Sequence, residues 1–195
     1  MKRNPVVLVH GIWNTAEIFS VLRAHLEREG WQVHALSMQP NNGDAPLEEL
    51  AEQVKHFVDE RLEPAQRFDL IGFSMGGLVS RYYVQRLDGL SRLERFVTVS
   101  APHNGTILGW FSHRYGVRQM KPKSPFIQDL NQDITRLSQV QFFSLWTPFD
   151  LLILPPRSSA VSEAVGRTFR LKVPAHNRMI QEQQALEKIC WCLSC

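Results

Sequence analysis

A chain of 195 residues that is 44% apolar and 21% charged is too apolar for a disordered polymer and long enough to enclose a core. Its 22 basic and 19 acidic residues leave a net charge of +3. The basic residues form no stripe interleaved with aromatics, which argues against a nucleic-acid module and allows at most transient contact with a membrane surface.

The N-terminal run Met1-Lys2-Arg3-Asn4-Pro5 leads into Val6-Val7-Leu8-Val9. Four apolar residues are too few for a signal segment, so the expected location is cytoplasmic, or secreted if a leader has been removed. No stretch approaches the roughly 20 apolar residues of a membrane span. The β-branched run itself suits a buried central strand. Asn14-Thr15-Ala16-Glu17 supplies a capping pattern, and Ile18, Val21, Leu22 and Leu26 follow at helical spacing until Gly30. Trp31 to Met38 is predicted as a strand. Leu50, Ala51, Val54, Phe57, Val58 and Leu62 then make one stripe of a helix that ends before Pro64.

Phe68 to Phe73 is a second buried strand, followed by a helix from Gly76 to Leu87 with Leu78, Val79, Tyr82 and Tyr83 inward. Further strands are predicted at Phe96–Ser100, Gln141–Trp146 and Thr168–Val173. Strands alternating with amphipathic helices predict an α/β fold: a mainly parallel sheet covered on both faces. No boundary signal divides the chain, so residues 1–195 are expected to form one domain. Between 105 and 139 the pattern loosens into a candidate cap or lid. The three cysteines, Cys190, Cys192 and Cys195, lie in a C-terminal tail at 186–195. They lack the ligand set of a zinc site, and a packed or unstructured tail is expected.

Gly72-Phe73-Ser74-Met75-Gly76 has the spacing of a nucleophile elbow, set between a predicted strand and helix. Such a turn lifts the serine hydroxyl clear of the sheet, at a helix N-terminus that favours developing negative charge. Serine needs a base held by a third group, and in this arrangement acid and then base follow the serine in the chain. Of seven histidines, that order removes His10, His25, His34 and His56. His103 lies too close behind a strand, and His113 falls in the irregular segment. His176, after the last predicted strand, is the candidate base. For the acid, Asp150 follows the strand 141–146 at its carboxyl end, whereas Asp129 and Asp133 look like a solvated helix face. The oxyanion would be met by the N–H of Met75 and by that of Ile12 or, alternatively, Trp13 in the loop opened by His10-Gly11. His10 looks like a hydrogen-bonded scaffold residue. Trp13, Trp110 and Phe111 are candidates for contact with an acyl chain. Nothing in this set calls for a metal or an organic cofactor.

Val-Leu-Val-His-Gly-Ile at 7–12, Gly-Phe-Ser-Met-Gly-Gly at 72–77, Ser-Ala-Pro-His-Asn-Gly-Thr at 100–106, Asp150 and His176 together resemble the small bacterial lipases of the α/β-hydrolase superfamily. The resemblance runs from Pro5 to the loop around His176. It implies a minimal α/β-hydrolase fold, a three-layer α/β/α sandwich lacking the first strands of the full fold. It further implies hydrolysis of a lipid or other acyl ester through an acyl-enzyme, with Ser74 as nucleophile, His176 as acid/base and Asp150 as its partner. An acyltransferase or thioesterase using the same residues is the rival reading, and a non-catalytic protein that kept the fold is a third.

Overall fold

The computed structural model describes residues 3–195; Met1 and Lys2, at the head of the N-terminal run, lie outside the described residues. Six strands form one sheet: β1 (Val6–Val9), β2 (Val33–Leu36), β3 (Phe68–Phe73), β4 (Leu93–Val99), β5 (Gln141–Trp146) and β6 (Arg167–Arg170). Their order is β2-β1-β3-β4-β5-β6, and every pairing is parallel. A parallel neighbour requires a crossover, and helices α1 (Ser20–Arg28), α2 (Leu47–Arg61), α3 (Met75–Arg86) and α6 (Gln183–Ser194) cover the sheet, with the shorter α4 (Tyr115–Gln119) and α5 (Pro125–Gln132) between β4 and β5.

Both faces of the central strands are buried, which is why they read as unbroken apolar runs. Side chains alternate across the pleat. Val7, Val9, Leu70 and Phe96 pack with Leu50, Val54 and Leu78 on the α2/α3 face. Val6, Leu8, Ile71 and Val97 pack with Leu22, Leu26 and Ile189 on the α1/α6 face. The chain steps from β1 outward to β2 and then back across to β3. The strand order therefore reverses between β1 and β3, and α/β sheets place their sites in the crevice at that reversal, outside the carboxyl ends of the strands.

The edge strands are shorter than predicted. β2 covers only 33–36 of the expected 31–38, because Gly30 turns at φ +91° and Trp31 N–H still donates to Leu26 O at the helix end. β6 ends at Arg170, with Leu171 N–H making one last bond to Trp146 O. Strand β4 is longer than predicted and starts at Leu93. The cysteine tail is no loose end: it is most of α6, whose Ala185, Leu186, Ile189, Cys192 and Leu193 form the buried stripe. All three thiols are unbridged. Burial pushes the Cys192 thiol up to about 12 and that of Cys190 up to about 11, so neither forms the reactive thiolate near neutral pH.

Residues 105–139 carry four short helical pieces. The second half of the segment anchors it, with Phe126, Ile127, Leu130 and Leu137 in the α2/α3 core. The first half leaves Ile107, Leu108, Trp110, Phe111 and Tyr115 exposed. Among the described residues no helix is long and apolar enough to cross a membrane.

Candidate active site

Ser74 sits where β3 turns into α3, with φ +55° and ψ −125°. A non-glycine residue at positive φ is strained, and only tight surroundings hold it there. Those surroundings are visible at Gly76. A side chain on it would come within 2.3 Å of Val9 O and 2.4 Å of His10 O, so only glycine lets the start of α3 pass over the end of β1. Ser74 N–H is held by Val99 O (2.8 Å), and Ser74 O accepts from Gly77 N–H (2.9 Å). The backbone is thus fixed on both sides. Among the described residues the Ser74 hydroxyl has no hydrogen-bond partner, and the residue is 7% exposed.

Gly11 brings the loop after β1 against the serine. A Cβ built on it would lie 2.9 Å from Ser74 Cβ and 3.4 Å from Ser74 Oγ. His10 holds this loop from below: its Nδ1 donates to Gly11 O (2.8 Å), and Met38 N–H donates to its Nε2 (2.9 Å). Fully buried, its imidazole is kept below the ordinary histidine range by desolvation. His10 is the hydrogen-bonded scaffold residue expected from its position. Beyond Gly11, Trp13 N–H is engaged by Asn41 O at 2.7 Å. The Ile12 N–H has no acceptor among the described residues, and Met75 N–H, the first of α3, has none within the helix. Of the two alternatives for the second oxyanion donor, the geometry leaves Ile12 available and Trp13 not.

Asp150 and His176 meet at the carboxyl ends of β5 and β6. The His176 Nδ1 lies 2.7 Å from Asp150 Oδ2, and the two residues are 7% and 2% exposed. The other carboxylate oxygen, Oδ1, accepts from the N–H groups of Leu152 and Ile153, both at 2.9 Å. With Oδ1 so occupied, an ionised Asp150 directs Oδ2 at an Nδ1–H and leaves His176 Nε2 as the bare nitrogen. The imidazole packs on the Phe73 ring, centroid to centroid 4.9 Å, beside Ser74. Thr147 Oγ donates to Val173 O and ties the loop bearing Asp150 to the one bearing His176.

Asp129 and Asp133 lie elsewhere and are not the free solvated face expected from their spacing. Arg86 binds both, Nε to Asp129 Oδ2 at 3.0 Å and Nη1 to Asp133 Oδ2 at 2.8 Å, bracing α3 against α5. Trp13, Trp110 and Phe111 lie in the loops after β1 and β4, at the end of the sheet that carries Ser74, and are 67%, 62% and 83% exposed. They are surface side chains, not the wall of an enclosed pocket.

A buried polar network under the elbow is absent from the sequence reading. Arg81, two turns along α3 from Ser74, is fully buried. Its Nε donates to Gln85 Oε1 (3.0 Å), its Nη2 to Leu130 O (2.7 Å) and Asn131 Oδ1 (3.0 Å), and its Nη1 to His103 (3.4 Å to Nδ1). His103 Nε2 lies 2.9 Å from Thr98 Oγ, which reaches Phe143 O. Every direct acceptor of this cation is neutral. Burial pushes the guanidinium down to about 9, while burial and the facing arginine hold His103 well below the histidine range. His103 is thus a neutral structural residue, and its signal in the sequence was the pair Arg81 and Gln85, four apart on a helix face otherwise apolar.

Residues 5–144 match the model of the palmitoyl protein thioesterase family. Palmitoyl-protein thioesterase 3 of Dictyostelium discoideum is 31% identical over 110 residues, 52% of this chain and 36% of that protein. A triacylglycerol lipase of Pseudarthrobacter phenanthrenivorans is 30% identical over 112 residues, 53% of this chain and 34% of that protein. The chain therefore matches about a third of the length of these curated relatives. Among solved structures, a mature Bacillus licheniformis lipase superposes with TM-score 0.78 at 14% identity, covering 98% of this chain and 92% of that one. Aspergillus fumigatus lipase B gives 0.79 at 17% identity, covering 99% of this chain and 53% of that one. These structures show the α/β-hydrolase fold.

Proposed function

The chain belongs to the palmitoyl protein thioesterase family, and on that premise we propose that it is a serine hydrolase cleaving carboxylic esters or thioesters of acyl groups. The observation that carries the reading is the 2.7 Å contact of His176 Nδ1 with buried Asp150, made beside a serine held at positive φ on an elbow. In this reading His176 Nε2 removes the Ser74 hydroxyl proton as Oγ attacks the acyl carbonyl. The oxyanion that forms is met by the N–H groups of Ile12 and Met75, and the N-terminus of α3 favours its charge. The imidazolium returns the proton to the leaving alkoxide or thiolate. Water, deprotonated by the same imidazole, then attacks the acyl-enzyme, releases the carboxylic acid and restores Ser74.

The thioester reading is supported by the family match and the ester reading by the lipase relatives. The residues serve both, because only the leaving atom differs. Residues 105–139 act in this proposal as a cap segment beside the site, with Trp13, Trp110 and Phe111 as its apolar contacts. The test is turnover of p-nitrophenyl esters from acetate to palmitate and of an S-palmitoyl peptide, with product analysis for the free acid. The expected result is hydrolysis of at least one series. A protein inert toward every ester and thioester would overturn the reading, and acyl transfer to an added acceptor without free acid would replace hydrolysis with transfer.

A further inference from the structure

Most of the large exposed apolar side chains among the described residues lie in loops at one end of the sheet. Phe111 is 83% exposed, Leu151 77%, Trp13 67%, Trp110 62% and Leu152 54%. They come from three separate loops, after β1, β4 and β5, and hydrogen bonds tie those loops together. Ile107 N–H donates to Leu154 O (2.9 Å), Thr106 Oγ to Leu152 O (3.1 Å), and Trp13 N–H to Asn41 O (2.7 Å) in the segment that also binds Gly116 N–H through Gly43 O (2.9 Å). The surface lies at the carboxyl ends of the strands, where Ser74, Asp150 and His176 also lie. Monomers rarely leave so large an apolar patch to water unless something covers it.

The charge around this patch identifies the cover. From 101 to 128 the sequence contains Arg114, Arg118, Lys121 and Lys123 and no Asp or Glu. Arg114 is paired with Asp44 (2.6 Å). Among the described residues Arg118, Lys121 and Lys123 have no carboxylate partner, and Lys121 Nζ stands 4.6 Å over the Trp110 ring. Cations without a carboxylate partner, beside exposed tryptophan, phenylalanine and leucine side chains, match an anionic lipid surface: rings and leucines enter the headgroup–acyl boundary while the ammonium and guanidinium groups meet lipid phosphates. A second copy of this chain would bring the same cations face to face.

We propose that this surface docks the protein on anionic membranes, turning the end of the sheet that carries Ser74 toward the lipid. The docking does not depend on the reaction assigned to Ser74, so it is measured with Ser74→Ala as well as the unaltered chain. Both are floated with vesicles of phosphatidylcholine alone and with vesicles of about one-third phosphatidylglycerol. The expected result is binding at least about tenfold stronger to the anionic vesicles, weakened by salt. Arg118→Glu with Lys123→Glu abolishes that preference. Leu108→Ser with Leu151→Ser weakens binding to both compositions, and turnover of a short soluble ester is unchanged in either double variant. Binding that ignores vesicle charge or survives the charge reversals overturns the proposal. So does self-association, abolished by the leucine variants, in place of vesicle binding.

Discussion

Replacing Asp150 with asparagine lowers kcat/KM on an activated ester by about ten-thousand-fold, the order expected when a buried orienting carboxylate loses its charge. The direction follows from which oxygen does what. Oδ1 accepts two backbone N–H groups, from Leu152 and Ile153. In the Asp150→Asn protein the amide oxygen keeps that place and the NH2 turns to His176. The NH2 donates, so Nδ1 must accept, and the ring proton moves to Nε2. The other ring nitrogen then carries a hydrogen and cannot act as a base. Asp133→Asn is the control, because that carboxylate binds Arg86 and not a histidine. Steady-state kinetics on the two variants should show a collapse in the first and near-normal turnover in the second. Equal turnover in both would remove Asp150 from its assigned role.

His103→Ala lowers stability by about 4 kcal/mol, near the upper end for single substitutions, without touching the reacting atoms. The imidazole is fully buried between Arg81 and Thr98. Its removal opens a cavity and strips an acceptor from a buried cation that has no carboxylate bonded to it. At this chain length the expected loss in Tm is about 10 °C by thermal unfolding. A fall below about 1 kcal/mol would mean the network is not holding α3 to the loop after β4. The histidine also shapes the acid limb. Held neutral in the folded state and free to protonate when unfolded, it contributes stability that is complete above about pH 6.5 and declines as pH falls below that value. His103→Gln should flatten part of that decline; His10, depressed in the same direction, retains its share.

The central strands and the elbow were legible because one physical demand dominates each. β1 and β3 are buried on both faces and can only be apolar runs, and the turn at Ser74 admits only glycine where α3 crosses Val9 O. Asp150 and His176 were placed by chain order and strand ends, and the structure brings them within hydrogen-bonding distance. Sequence pattern overextends the edge strands, because β2 and β6 have a partner on one side only and pattern alone does not fix their ends. Two features ran against the usual reading of residue type. Arg81, Gln85 and His103 are polar but sit inside, satisfied by one another and by backbone oxygens. Phe111, Trp110 and Leu151 are apolar but sit outside. The spacing of Arg81 and Gln85 hints at the first, but the partners that complete each inversion lie far away in the chain, beyond the reach of periodicity.

The reactivity of Ser74 is the center of the account, and covalent capture tests it most directly. Treatment with a fluorophosphonate, followed by mass analysis of the digested protein, should place one adduct on the peptide containing Ser74. That adduct should be suppressed by an acyl substrate and absent from Ser74→Ala, which has also lost its turnover. An adduct on another residue, or a Ser74→Ala protein that turns over substrate at the original rate, would contradict the account.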